Sequence, residues 1–247
     1  MRARTKPTTA IVTALFTVGV LAGCADDPAP RPSPESPSET AQPSAPPSLS
    51  TEEADELLRD AVAGGDVDAA LLAIDAGADL ELRGEAGRTP LVAATKKNHV
   101  DVALALLEAG ADPNATDDLH DSAFLYAGAE GLDDILVATL EHGADVTSLN
   151  RFGGTALIPA SEHAHIDTVR ILIDAGVPIN HVNDSGWTAL HEAIILGDGS
   201  DAYVTVVGML LDAGADPNIP DGHGVLPRRL AEERGFTAIV AEIDRAS

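Results

Sequence analysis

One cysteine, Cys24, is all the chain has, so no intrachain disulfide can form and no cysteine-rich metal site can be built. Aromatic residues are nearly as scarce, at 3% of 247 positions. That excludes little by itself, but with abundant Ala it suits close-packed short helices better than a β-rich fold. Basic residues are outnumbered 15 to 40 by acidic ones, for a net charge of −25. A surface of that sign is repelled by nucleic acid, so no nucleic-acid partner is expected, whereas a partner with a basic face would be drawn to it. Several motifs of catalysis are missing too. There is no phosphate-binding Gly-rich loop, no Gly-x-Ser-x-Gly elbow and no His-Glu-x-x-His, since His191-Glu192 is followed by Ala-Ile-Ile. The acidic turn Asp117-Asp118 with Asp121 matches no calcium loop. No enzyme, catalytic residue, metal or cofactor is expected.

What is present is a repeat. Thr89, Ser122, Thr155 and Thr188 fall 33 residues apart, each opening a run such as Thr188-Ala189-Leu190-His191-Glu192-Ala193. Gly77-Ala78-Asp79, Gly110-Ala111-Asp112, Gly143-Ala144-Asp145 and Gly176-Val177-Pro178 keep the same period, and Gly214-Ala215-Asp216 follows 38 residues later. A fixed period of this size means stacked supersecondary units. The hydroxyl residues read as helix N-caps, and Pro90 as a first helical residue whose missing N–H costs nothing. In the first unit Glu56 takes the cap position. Five residues after each cap stands an alanine: Ala61, Ala94, Ala127, Ala160, Ala193 and Ala231. A small residue at one helical position is what close helix–helix approach requires. A second helix opens on Asp68, Asp101, Asp134 or Asp167, favoured by the positive end of the helix dipole, and stops at the glycine of the tripeptide.

Six units follow: Thr51–Arg83, Gly84–Thr116, Asp117–Leu149, Asn150–Val182, Asn183–Pro220 and Asp221–Ser247. The five extra residues of the fifth are expected near Gly197 to Tyr203, between its helices, and His120 is expected in a left-handed turn position that other units give to Gly. His163 and His165, two apart, would point in different directions on a helix.

The period, the Gly-x-Thr-Ala-Leu-His-x-Ala run at Gly186 to Ala193 and the Gly-Ala-Asp tripeptides resemble the ankyrin family over about residues 51–247. The resemblance implies an all-α solenoid of about six repeats with β-hairpin-like connecting loops, binding another protein through loop tips and the exposed side of the first helices. Carried onto this chain, the tip positions include Arg88, Arg151, Phe152, Asp184 and Trp187, and the exposed first-helix positions Lys96, Lys97, Glu162, His163, Ile195 and Leu196. Tyr126 joins them by register, so that Tyr126, Phe152, Trp187, Ile195 and Leu196 could form an apolar patch across units three to five. Trp187 suits either binding or packing over the neighbouring tip. His191 is expected to hydrogen-bond near its own turn. A monomer that binds protein is expected; a specialised form of the same chemistry is an inhibitor or immunity protein that neutralises a basic secreted toxin or enzyme.

The front end has its own logic. Residues 1–9 hold Arg2, Arg4 and Lys6 and no acid, and the apolar run Ala10 to Ala22 follows. As a helix that run covers about 20 Å, too short to cross a bilayer but suited to an export signal. Leu21-Ala22-Gly23-Cys24 resembles the bacterial lipobox, which implies a signal peptide over 1–23, lipid on Cys24 and an extracytoplasmic protein anchored to the cell membrane. An ordinary export signal with an unrelated cysteine is the alternative. Loss of residues 1–23 leaves twelve basic against 40 acidic residues, or −28. Residues 24–50 hold eight prolines among Ser, Ala and acidic residues, and are expected to remain an extended, disordered linker ahead of the repeat domain at 51–247.

Overall fold

A computed structural model describes residues 49–246; Cys24, the segment 1–23 and the linker up to residue 48 lie outside the described residues. Twelve α-helices are found among the described residues, and no strand. They pair as α1 Thr51–Gly64 with α2 Val67–Asp75, α3 Pro90–Lys96 with α4 Val100–Glu108, and α5 Ala123–Glu130 with α6 Asp133–Glu141. The second half adds α7 Leu157–Glu162 with α8 Ile166–Asp174, α9 Ala189–Ile195 with α10 Asp201–Asp212, and α11 Pro227–Arg234 with α12 Thr237–Ala246. First helices stack on first helices and second on second, so each repeat covers the apolar side of its neighbour.

The alanine row explains how close that stacking is. Ala94, Ala127, Ala160, Ala193 and Ala231 are each fully buried, and Ala61 nearly so. Gly128 takes the principle further: a Cβ there would lie 2.8 Å from the Cβ of Ala156 in the next repeat. The caps follow expectation at Thr89, Ser122 and Thr188, whose hydroxyls accept from the N–H groups of Val92, Leu125 and His191. Two capping expectations fail. α1 begins earlier, on a capping box formed by Ser50 and Glu53, so Glu56 lies inside the helix. α7 starts one residue late, with no side-chain cap, and the Thr155 hydroxyl is buried without a partner.

The loops are turns rather than strand ladders. Each tip closes on itself: the N–H of Asp117, Asn150, Asn183 and Asp221 donates to the carbonyl four residues on. His120 takes φ 61°, the left-handed position expected of it. Further from the tip, one side chain per repeat accepts the N–H of the next Gly-Ala-Asp aspartate. Glu81 serves Asp112 at 2.8 Å, Asn114 serves Asp145 at 2.7 Å, and Asn180 serves Asp216 at 2.8 Å. The series skips one step for a chemical reason. Pro178 has no N–H to give, and Thr147 at the matching position turns instead to Asp145. The insertion of the fifth repeat is divided: the connector lengthens to Leu196–Ser200, and α10 gains most of a turn over its nine-residue counterparts.

Candidate functional site

Stacking brings five of the expected binding residues into one network across repeats two to four. Lys96, in the last turn of α3, reaches into the next repeat, where its Nζ lies 2.7 Å from Asp121 and 3.0 Å from Asp117. The same ammonium sits 4.6 Å from the centre of the Tyr126 ring. Arg88 approaches Asp117 at 3.8 Å, and Arg151 from the fourth repeat approaches Asp121 at 3.5 Å. Arg151 also stacks on Phe152 at 4.6 Å.

Burial makes this network structural. The side chain of Asp117 is fully enclosed and that of Lys96 only 11% exposed, so Lys96 is not the free surface charge its register suggested. Burial opposes the charge on both groups, yet their pairing outweighs it. The Lys96 ammonium is held above its ordinary value, chiefly by Asp121, and the Asp117 carboxyl below its own by Lys96 and the N–H groups of Asp121 and Leu119. The Tyr126 phenol is raised, first by burial and then by Glu130.

Two of the expected apolar residues stand exposed. Phe152 is 59% exposed and Leu196 47%. Arg151, Asp184, His163 and Lys97 are exposed as well, whereas Trp187, Ile195, Tyr126, Glu162 and Arg88 are half-buried. The patch is therefore narrower at Trp187 and Ile195 than the register implied. Leu119, Leu149 and Val182 are further exposed aliphatic loop residues outside the expected patch. Their spacing was the available signal, because Leu119 and Phe152 are 33 apart, as are Leu149 and Val182. Neighbouring tips are tied, the N–H of Asp184 donating to the Phe152 carbonyl at 3.0 Å.

The fifth repeat holds the least comfortable charge. Glu192 is 6% exposed; one carboxyl oxygen accepts from Asn183 at 3.0 Å, and the other is buried without a partner. Burial, and then the nearby carboxylate of Glu162, push its pKa up to about 7, against the pull of Asn183. His191 beside it is bonded to Thr188, as expected, and burial lowers its pKa despite Asp221. Tyr203, in the first turn of the lengthened α10, donates to the Glu162 carbonyl at 2.8 Å, so the start of that helix is anchored to the fourth repeat.

The histidines are mostly accounted for by the backbone. Nδ1 of His99 lies 3.0 Å from the Val62 carbonyl, and Nε2 of His181 2.6 Å from that of Gly153. His163 and His165 are not on a shared helix: they flank the break between α7 and α8, with ring centres 5.6 Å apart. Among the described residues no group of three or more His, Cys, Asp or Glu could hold a metal ion, and no helix is long and apolar enough to cross a membrane.

Known proteins share these features. The family model for an ankyrin repeat matches residues 86–118, and the model for three ankyrin copies matches 124–221. A stretch of 50 residues is 46% identical to the ankyrin repeat protein YahD of Escherichia coli (strain K12), spanning 20% of this chain and a quarter of that protein. Among solved structures, an ankyrin repeat domain from Acinetobacter baumannii AYE is 49% identical, with a TM-score of 0.75 over 76% of this chain and 96% of its own. The ankyrin repeat protein EF0377 is 36% identical, with a TM-score of 0.75 over 77% and 98%.

Proposed function

The chain belongs to the ankyrin-repeat family, a family of binding scaffolds rather than enzymes, and on that premise we propose that it is a lipid-anchored, extracytoplasmic receptor for another protein. The observation that carries the binding role is the exposure of Leu119 and Phe152 at equivalent tip positions of adjacent repeats, which the Lys96–Asp117–Asp121 clip and the Arg151–Asp121 pair tie together. A rigid apolar edge loses little entropy on docking, and aromatic anchors beside Arg are where binding energy concentrates. The partner presents an apolar strip with basic flanks, complementary to a chain of net charge −25. The chain acts as a monomer, with Glu162, His163 and Asp184 at the rim of the contact, and Trp187 and Ile195 at its half-buried end.

Anchoring rests on Leu21-Ala22-Gly23-Cys24 and the basic, short apolar lead before it. Each buried CH₂ of an acyl chain contributes about 0.8 kcal/mol, so more than one chain on Cys24 anchors firmly. One experiment tests both parts: crosslinking in intact cells, followed by pull-down from the membrane fraction. The full chain recovers a partner from membranes, Phe152→Ser recovers less of it, and Cys24→Ala moves the protein out of the membrane fraction. Unchanged recovery with Phe152→Ser sinks the binding surface, and unchanged membrane association of Cys24→Ala sinks the anchor.

A further inference from the structure

At the other end of the array, between repeats one and two, we infer a second docking site, which takes a partner segment carrying an acidic side chain beside an aliphatic or aromatic one. It does not depend on the tip edge of repeats three to five. A groove of about 230 Å³ opens there between α1 and α3, with Leu58, Val62, Leu82 and Ala93 among its apolar lining. The opening has a cause in the repeat register. Ala93 stands four residues after its cap, where the later repeats place Tyr126, Pro159, Glu192 and Leu230. The smallest side chain of that row leaves the space unfilled.

The charges of the lining point to the occupant. Arg59, Arg88 and Lys97 all line this groove. Among the described residues, Arg59 and Lys97 are the two basic side chains with neither a carboxylate nor a carbonyl partner; every other one engages one or the other. In a chain where acids outnumber bases 40 to 15, two unpaired cations on one apolar groove are unexpected. The lining acids are Asp55, Asp79 and Glu85. None of the three forms an ion pair with Arg59 or Lys97: Asp55 accepts the N–H of Asp79 at 2.7 Å, and Asp79 that of Glu81 at 2.9 Å. The third, Glu85, is exposed on the turn Glu85–Gly87. A partner carboxylate supplies the missing counter-charge to Arg59 and Lys97, and its apolar neighbour fills the space above Ala93.

The test is a methyl NMR titration of the full chain with the peptide acetyl-Leu-Glu-Leu-Glu-Leu-amide. Two controls replace its Glu by Lys or its Leu by Ser. The expected result is saturable movement of the Leu58, Val62 and Leu82 methyls with the first peptide alone. The double variant Arg59→Ala/Lys97→Ala weakens that binding by about tenfold, the effect of removing two exposed charge pairs. Ala93→Leu fills the groove and abolishes it; circular dichroism establishes that this variant is folded, and the double variant decides the matter if it is not. Equal movement with the lysine peptide, no movement at Leu58 and Val62, or undiminished binding by the double variant overturns the proposal. Movement of the Leu119 and Leu149 methyls instead assigns the peptide to the tip edge and also overturns it.

Discussion

Replacing Glu192 by Gln removes a charge that the fold does not accommodate. The native carboxyl holds its proton up to about pH 7, against an ordinary value of 4.5, because it is buried and faces Glu162. The native state therefore binds this proton more tightly than the unfolded chain does. The sign follows: stability is greatest below pH 4.5 and falls as pH rises through 7. The displacement from 4.5 to about 7, at 1.4 kcal/mol for each tenfold in proton affinity, corresponds to roughly 3 kcal/mol at alkaline pH. The amide introduced by Glu192→Gln cannot ionise, yet its carbonyl oxygen can still accept from Asn183. Glu192→Gln should exceed the parent by no more than about 1 kcal/mol at pH 5, where the native carboxyl is still protonated, and by about 3 kcal/mol at pH 8.5. Urea denaturation followed by Trp187 fluorescence reads this locally, since Trp187 is the only tryptophan and lies in the same repeat. Other carboxylates titrate over the range, but they are common to both proteins and cancel in the difference. An equal difference at pH 5 and pH 8.5, or a destabilised variant at both, refutes the reasoning.

Two further substitutions probe the stacking itself. Lys96→Ala leaves Asp117 and Asp121 with only the longer approaches of Arg88 and Arg151 in a mostly enclosed site and should cost about 3 kcal/mol in urea denaturation, while the exposed Lys97→Ala changes stability by no more than ~0.5 kcal/mol. Equal effects would mean that the clip does not hold repeats two and three together. Gly128→Ala gains about 1 kcal/mol of helix propensity but drives a Cβ to 2.8 Å from that of Ala156, so a net loss of about 1–2 kcal/mol is expected. The reciprocal pair Gly128→Ala/Ala156→Gly should restore most of it, and a thermal melt that shows no recovery would place the strain elsewhere.

The repeat was legible because its signals are local and recur. The caps at Thr89, Ser122 and Thr188, the buried alanines and the left-handed His120 each follow from a few neighbouring residues. What the sequence hid depends on how one repeat meets the next. Nothing near Lys96 shows that its charge is spent on Asp117 and Asp121, more than 20 residues away. Glu192 reads as an ordinary helical acid until Glu162 of the preceding repeat is placed beside it. The terminal unit misled for another reason: with no repeat before it, α1 extends back to a capping box at Ser50 instead of keeping the register of Glu56. The exposed loop residues Leu119, Leu149 and Val182 were visible only through their spacing of 33, because a lone aliphatic residue in a loop carries no signal of its own.

The central claim is that stacked repeats offer a protein partner one edge and keep the other side out of contact. Amide hydrogen exchange of the full chain, with and without the partner recovered by crosslinking, tests it directly. Exchange should slow at 118–121, 150–154 and 184–187 and stay unchanged through α6 and α8. Protection centred on α6 and α8, with the tips exchanging as in the free protein, would contradict it.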